Sequence, residues 1–160
     1  MSDMELSVES VAGSLGAIIR DVELRSADDQ VVEAVRHAVH HHGVVFLPGQ
    51  HLDDEHLAFG RRLGPVRGFA FAALLGGDDA AEPTVTAIRD TPDSPPSTDN
   101  WHTDVTWTAE PPDYAVLRSV IVPRSGGDTM WASLGAAYRA LSETMRSFID
   151  ELQVVHDNTS

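Results

Sequence analysis

Asn100-Trp101-His102-Thr103-Asp104-Val105-Thr106-Trp107 is the most informative stretch of the chain. Its β-branched and aromatic residues predict a strand over residues 101–107. Side chains at i and i+2 of a strand share a face, so the His102 imidazole and the Asp104 carboxylate would converge on one point. Iron(II) bound by two histidines and one carboxylate on a single face keeps its other positions open. Trp101, Val105 and Trp107 would shield such a centre from bulk water. The same pair can equally be a His–Asp hydrogen bond on a strand face and nothing more. Spacing alone leaves both open: with eight histidines and sixteen aspartates, about 0.8 His-x-Asp triplets arise by chance, and the chain has two.

The other triplet, His51-Leu52-Asp53, follows a Pro-Gly turn and leads into a helical pattern, so Asp53 reads as an N-cap. His37, His40, His41 and His42 lie at the end of an earlier helix, where the helix dipole favours such side chains, and the structural reading outweighs a metal site. His156 has no partner at ligand spacing and reads as structural at a strand or loop end.

Outward from the central stretch, short strands are expected at residues 6–8 and 15–24, around Gly13 and Gly16. From Asp28, apolar Val31, Val32, Val35, Ala38 and Val39 recur at three and four, which predicts a helix capped by Asp28 or Asp29 and ended by Gly43. Residues 44–47 read as a buried strand closed by Pro48-Gly49, and residues 53–63 as a second helix stopped by Gly64-Pro65. Gly76-Gly77-Asp78-Asp79 is a turn or loop, residues 84–88 a strand, and residues 92–100 irregular. Residues 114–122 form a further expected strand, and residues 136–152 a helix with a break near Ser142. Helices alternate with strands early and strands dominate later, so the class is α+β, with no domain boundary or repeat.

Composition narrows the function. The chain has 160 residues, enough for one domain that buries roughly two-thirds of its unfolded surface. There is no Cys, which excludes disulfides, thiolate nucleophiles and iron–sulfur clusters. There is no Lys either, which excludes Schiff-base chemistry and a Walker-type phosphate loop. A net charge of −14 disfavours nucleic acid and anionic membranes as partners. No apolar run approaches a membrane span, and Met1-Ser2-Asp3-Met4-Glu5 lacks the pattern of a signal peptide, so a soluble, cytoplasmic protein is expected.

Taken together, residues 100–107, Pro111-Pro112 and Gly126-Gly127-Asp128-Thr129-Met130-Trp131 resemble the taurine dioxygenase (TauD/TfdA-like) family. Its members are iron(II)- and 2-oxoglutarate-dependent oxygenases, including alkylsulfate and phenoxyalkanoate dioxygenases. Leu15-Gly16-Ala17, the segment from His42 to Leu47, Gln50, and the segment from Phe59 to Gly64 agree with that family's entry elements. The resemblance implies a double-stranded β-helix, or jelly roll, with flanking helices. It implies that His102 and Asp104 are metal ligands, that Thr129 helps hold a 2-oxoglutarate carboxylate, and that Fe(2+), 2-oxoglutarate and O2 are required. The implied reaction is hydroxylation of a C–H bond in a small organic, anionic, sulfonate- or sulfate-like substrate, with release of succinate and CO2. A homo-oligomeric parent is implied as well.

The family's third ligand, a distal His, and an Arg that pairs with the cosubstrate both fall beyond Ser160. Residues 1–160 therefore read as the N-terminal portion of a single domain, apparently truncated and inactive alone. Where taurine-specific members surround the sulfonate with His, Tyr and Asn, this chain has Arg67, Phe69, Phe71 and Thr98. Arg67, Phe69 and Thr98 are the expected substrate contacts, and the phenylalanines suggest a more apolar substrate than taurine. The rival expectation is a non-catalytic binding or assembly module with a vestigial metal site.

Overall fold

In the computed structural model, residues 6–66, 85–91, 93 and 100–157 are described. The chain divides into two compact units, one of Met1–Glu55 with Leu117–Gln153 and one of His56–Val116 with Val154–Ser160.

The first unit is built around a βαβ element. Strand β1 (Ser7–Ser10) runs antiparallel to β2 (Ala17–Arg20), with Val8 opposite Ile19, and β2 runs parallel to β3 (Val45–Phe46), with Ala17 opposite Val45. Parallel neighbours need a crossover, and helix α1 (Asp29–His42) supplies it. The Asp28 carboxylate accepts the Val31 amide at 2.9 Å, and the chain leaves the helix through Gly43 at φ 71°. A Cβ on Gly43 would meet Leu15 Cδ1 at 2.6 Å, the end of a side chain that can give way, so it is the positive φ that favours glycine here. The helix buries Val31, Val32, Val35 and Ala38 on one face, and β2 buries Ala17 and Ile19. These side chains, with Leu24 and Leu52, are the core of this unit.

Gln50 fixes the corner beneath it. Its Nε2 donates to the Val22 carbonyl at 2.7 Å, and its Oε1 accepts the Leu24 amide at 2.9 Å, holding the 3-10 turn Leu24–Ser26. Asp53 is not a cap: its carboxylate receives the Arg118 guanidinium, 65 residues away, and helix α2 (Glu55–Leu63) starts two residues later.

The expected break at Ser142 is present. Helix α3 (Leu134–Ala140) is capped by Ser133 and α4 (Glu143–Ile149) by Ser142, whose hydroxyls accept from Ala136 and Met145. A Ser side chain that satisfies an orphan amide starts a new helix more readily than it continues an old one.

Four strand expectations are corrected. Residues 44–47 yield only the two-residue β3, the last strand in the sheet among the described residues, and Phe46 is exposed rather than buried. Residues 85–88, the described part of the expected strand at 84–88, are not a strand, nor are residues 114–122. Residues 101–107 likewise form no strand: 104–107 are a turn in which Val105 has φ 56°. Pattern creates strand propensity, but a ladder needs a neighbour, and none is present for these segments among the described residues. Gly76-Gly77-Asp78-Asp79 lies outside the described residues, as do residues 94–99.

In the second unit, α2 buries Phe59, and His56 Nε2 lies 3.0 Å from the Val116 carbonyl oxygen, an acceptor for the ring N–H. No described helix is long and apolar enough to cross a membrane.

Candidate functional site

His102 and Asp104 converge although the strand that was to align them is absent. His102 Nε2 lies 3.2 Å from Asp104 Oδ1. The other ring nitrogen, Nδ1, lies 2.9 Å from the Asn100 carbonyl oxygen. A carbonyl can only accept, so Nδ1 carries the proton of that hydrogen bond. In the neutral ring, Nε2 then presents a lone pair toward a carboxylate oxygen that also presents one. Two acceptors face each other comfortably only with a proton or a cation between them. A backbone carbonyl fixing the tautomer of a metal-binding histidine is a recurrent arrangement. Adjacent positions of an octahedral ion with bonds of about 2.1 Å are about 3 Å apart, so the donor set fits a divalent metal.

The 104–107 turn that begins at Asp104 is held by its own side chains. The Thr108 amide and hydroxyl both donate to the Val105 carbonyl, at 3.3 and 3.0 Å. On the far side of Asp104, His156 Nδ1 lies 2.8 Å from Thr106 Oγ1. The side chains of His102 and Asp104 are both about half exposed. Among the described residues no group of three His, Asp or Glu side chains converges.

Thr129 belongs to the other unit. It lines a cavity of about 530 Å³ together with Ser119, Arg124, Gly127, Phe46 and Trp131. Phe46 and Trp131 meet edge to face at 5.4 Å between centroids, forming an apolar wall, while Arg124 provides the positive charge. Gly126 and Gly127 have φ 77° and 70°, and a Cβ on Gly127 would only touch Pro123, at 3.4 Å. The Gly-Gly pair is thus a tight turn, and it also lets the backbone approach a ligand closely. A hydroxyl, a guanidinium and an apolar wall suit a short carboxylate with a hydrocarbon spacer.

Other expected residues separate from the site. Arg67, Phe69 and Thr98, with Phe71, lie outside the described residues. His40, His41 and His42 occupy the last turn of α1, and the rings of His41 and His42 meet edge to face at 4.7 Å. His156 is not isolated, since it bonds Thr106 across 50 residues. Reading the sequence missed the roles of Asn100, Arg118 and Arg124. Asn100 sits two residues before His102, a spacing that could have suggested it; a pair 65 residues apart, such as Asp53 and Arg118, leaves no local signal.

Residues 7–160 match the model of the family described as taurine catabolism dioxygenase TauD, TfdA family. The chain belongs to this family. TauD/TfdA relatives include a Pseudomonas putida protein named alpha-ketoglutarate-dependent sulfate ester dioxygenase, 40% identical over 97% of this chain and 50% of its own length. An Acinetobacter baylyi protein named alkylsulfatase is 33% identical over 96% of this chain and 48% of its own. A Burkholderia xenovorans crystal structure, assigned as an alpha-ketoglutarate-dependent taurine dioxygenase, superposes with a TM-score of 0.68 at 30% identity, covering 92% of this chain and 52% of that one. The chain thus spans about half the length of the TauD/TfdA proteins it matches.

Proposed function

We propose that the protein is an iron(II)- and 2-oxoglutarate-dependent dioxygenase that hydroxylates a small anionic substrate of the sulfate-ester or sulfonate class, releasing succinate and CO2. The observation that carries this reading is the pair of acceptors, His102 Nε2 and Asp104 Oδ1, aimed at each other across 3.2 Å with Nδ1 committed to Asn100. The substrate class follows the relatives' names, the sulfate ester dioxygenase foremost.

In this reading His102 and Asp104 hold Fe(2+), and a third ligand comes from beyond Ser160. The bound metal supplies activation of O2 for C–H oxidation. Thr129 donates its hydroxyl to a carboxylate oxygen of 2-oxoglutarate, and Asn100, through its carbonyl, keeps the His102 ring in the metal-binding tautomer. Arg67, Phe69 and Thr98 are proposed substrate contacts, with Arg67 meeting the anion. The domain is a jelly roll of which residues 1–160 are the N-terminal portion, inactive alone, in a cytoplasmic homo-oligomer. A non-catalytic module is not favoured by any feature of the site.

The test is metal dependence in the intact protein. Chelation should stop 2-oxoglutarate consumption, and Fe(2+) should restore it. Consumption that continues undiminished in chelator would overturn the assignment.

A further inference from the structure

We propose that His156 is a positioning residue for the metal pair, acting through Thr106; this rests on the metal reading of His102 and Asp104. The sequence gives His156 no ligand spacing, and its Nδ1 is engaged with Thr106 Oγ1 at 2.8 Å. Thr106 lies two residues after Asp104, in the 104–107 turn.

That turn needs an external brace. Val105 has φ 56°, and a β-branched residue in the left-handed region is strained because its Cβ crowds the backbone. Strained backbone persists only where the surroundings over-determine it. Two contacts do so here. The Thr108 amide and hydroxyl hold the Val105 carbonyl from within the turn, and His156 holds Thr106 from a segment 50 residues away. Asp104 opens the 104–107 turn, so the contacts that hold the turn also hold the backbone from which its carboxylate reaches His102. Freed from His156, the turn can relax toward the extended backbone its sequence prefers, and the 3.2 Å approach of Asp104 to His102 loosens.

The experiment is Co(II) binding to the intact protein, followed by visible absorption, in wild type, His102→Ala, His156→Leu, His156→Asn and Thr106→Val. Removing a group that supports a ligand costs about 10-fold or more in metal affinity. His156→Leu and Thr106→Val should each lose about that factor and alter the Co(II) spectrum. His156→Asn, whose amide can meet the Thr106 hydroxyl, should recover both affinity and spectrum, which a general loss of packing would not explain. Should His156→Leu fail to fold, Thr106→Val, nearly the same in shape, carries the comparison. Wild-type affinity and spectrum in both His156→Leu and Thr106→Val, with binding lost in His102→Ala, would overturn the positioning role alone. Unchanged binding in His102→Ala would overturn the metal reading and this inference with it.

Discussion

The Nε2 atom of His102 faces the Oδ1 atom of Asp104 at 3.2 Å, while Asn100 fixes the opposite nitrogen through its carbonyl oxygen. Asp104→Asn keeps the shape but replaces an anionic donor by a neutral amide. Metal affinity should fall by at least about 100-fold, beyond the 10–100-fold that supporting groups contribute. Asn100→Ala should change it little, because only the backbone carbonyl is used. Calorimetric titration with a divalent metal would separate the two variants.

Gly43 ends α1 at φ 71°, with Leu15 Cδ1 at 2.6 Å from where a Cβ would stand. Gly43→Ala should destabilise the protein by about 1–3 kcal/mol, the usual range for a strained backbone position. Ile19→Ala, at the largest fully buried side chain of β2, should cost about 2–5 kcal/mol. Chemical denaturation of each variant gives both numbers.

How legible the molecule was in its sequence depends on how local each contact is. Helix α1 was readable nearly to the residue, because Asp28, the valine periodicity and Gly43 act within a few residues of one another. The break at Ser142 was readable for the same reason. Residues 114–122 read as a strand and are not one. Their apolar Leu117, Val120, Ile121 and Val122 stand 66–91% exposed, with no described neighbour to pair with. Period and composition report what a segment is suited to, not whether a partner is present. The His102–Asp104 approach was anticipated on a strand face, whereas the two residues lie just before and at the start of a turn. Thr129 was singled out through the longer motif, while Arg124, which lines the same cavity, had no signal beyond its place in the glycine-bearing loop.

The hydrogen bond from Arg118, and then its charge, lower the Asp53 pKa from its ordinary 3.8. A depressed carboxylate stabilises the folded state above its unfolded pKa and loses that contribution as pH falls through the folded value. The stability difference between wild type and Asp53→Asn should therefore be constant above about pH 5 and shrink below 3.8. It should be small throughout, because the Asp53 carboxylate is largely exposed. Urea midpoints measured across that window would show it.

Tyr138 donates its hydroxyl to the Asp150 carboxylate at 2.8 Å, which raises its pKa above the ordinary 10.0. The raised value means that the bond's contribution is complete below pH 10 and is lost as pH rises through the folded pKa. Ultraviolet titration of wild type minus Tyr138→Phe should show a phenol ionising above 10.0. Replacing Asp150 with Asn should bring that ionisation down.

The central claim is that His102 holds the metal of a 2-oxoglutarate-dependent oxygenase. It is tested most directly by succinate formation in the intact protein, supplied with Fe(2+), 2-oxoglutarate and an alkyl sulfate. Wild type should form succinate in a substrate-dependent manner, and His102→Ala should form none. Succinate released by His102→Ala at the wild-type rate would contradict the account.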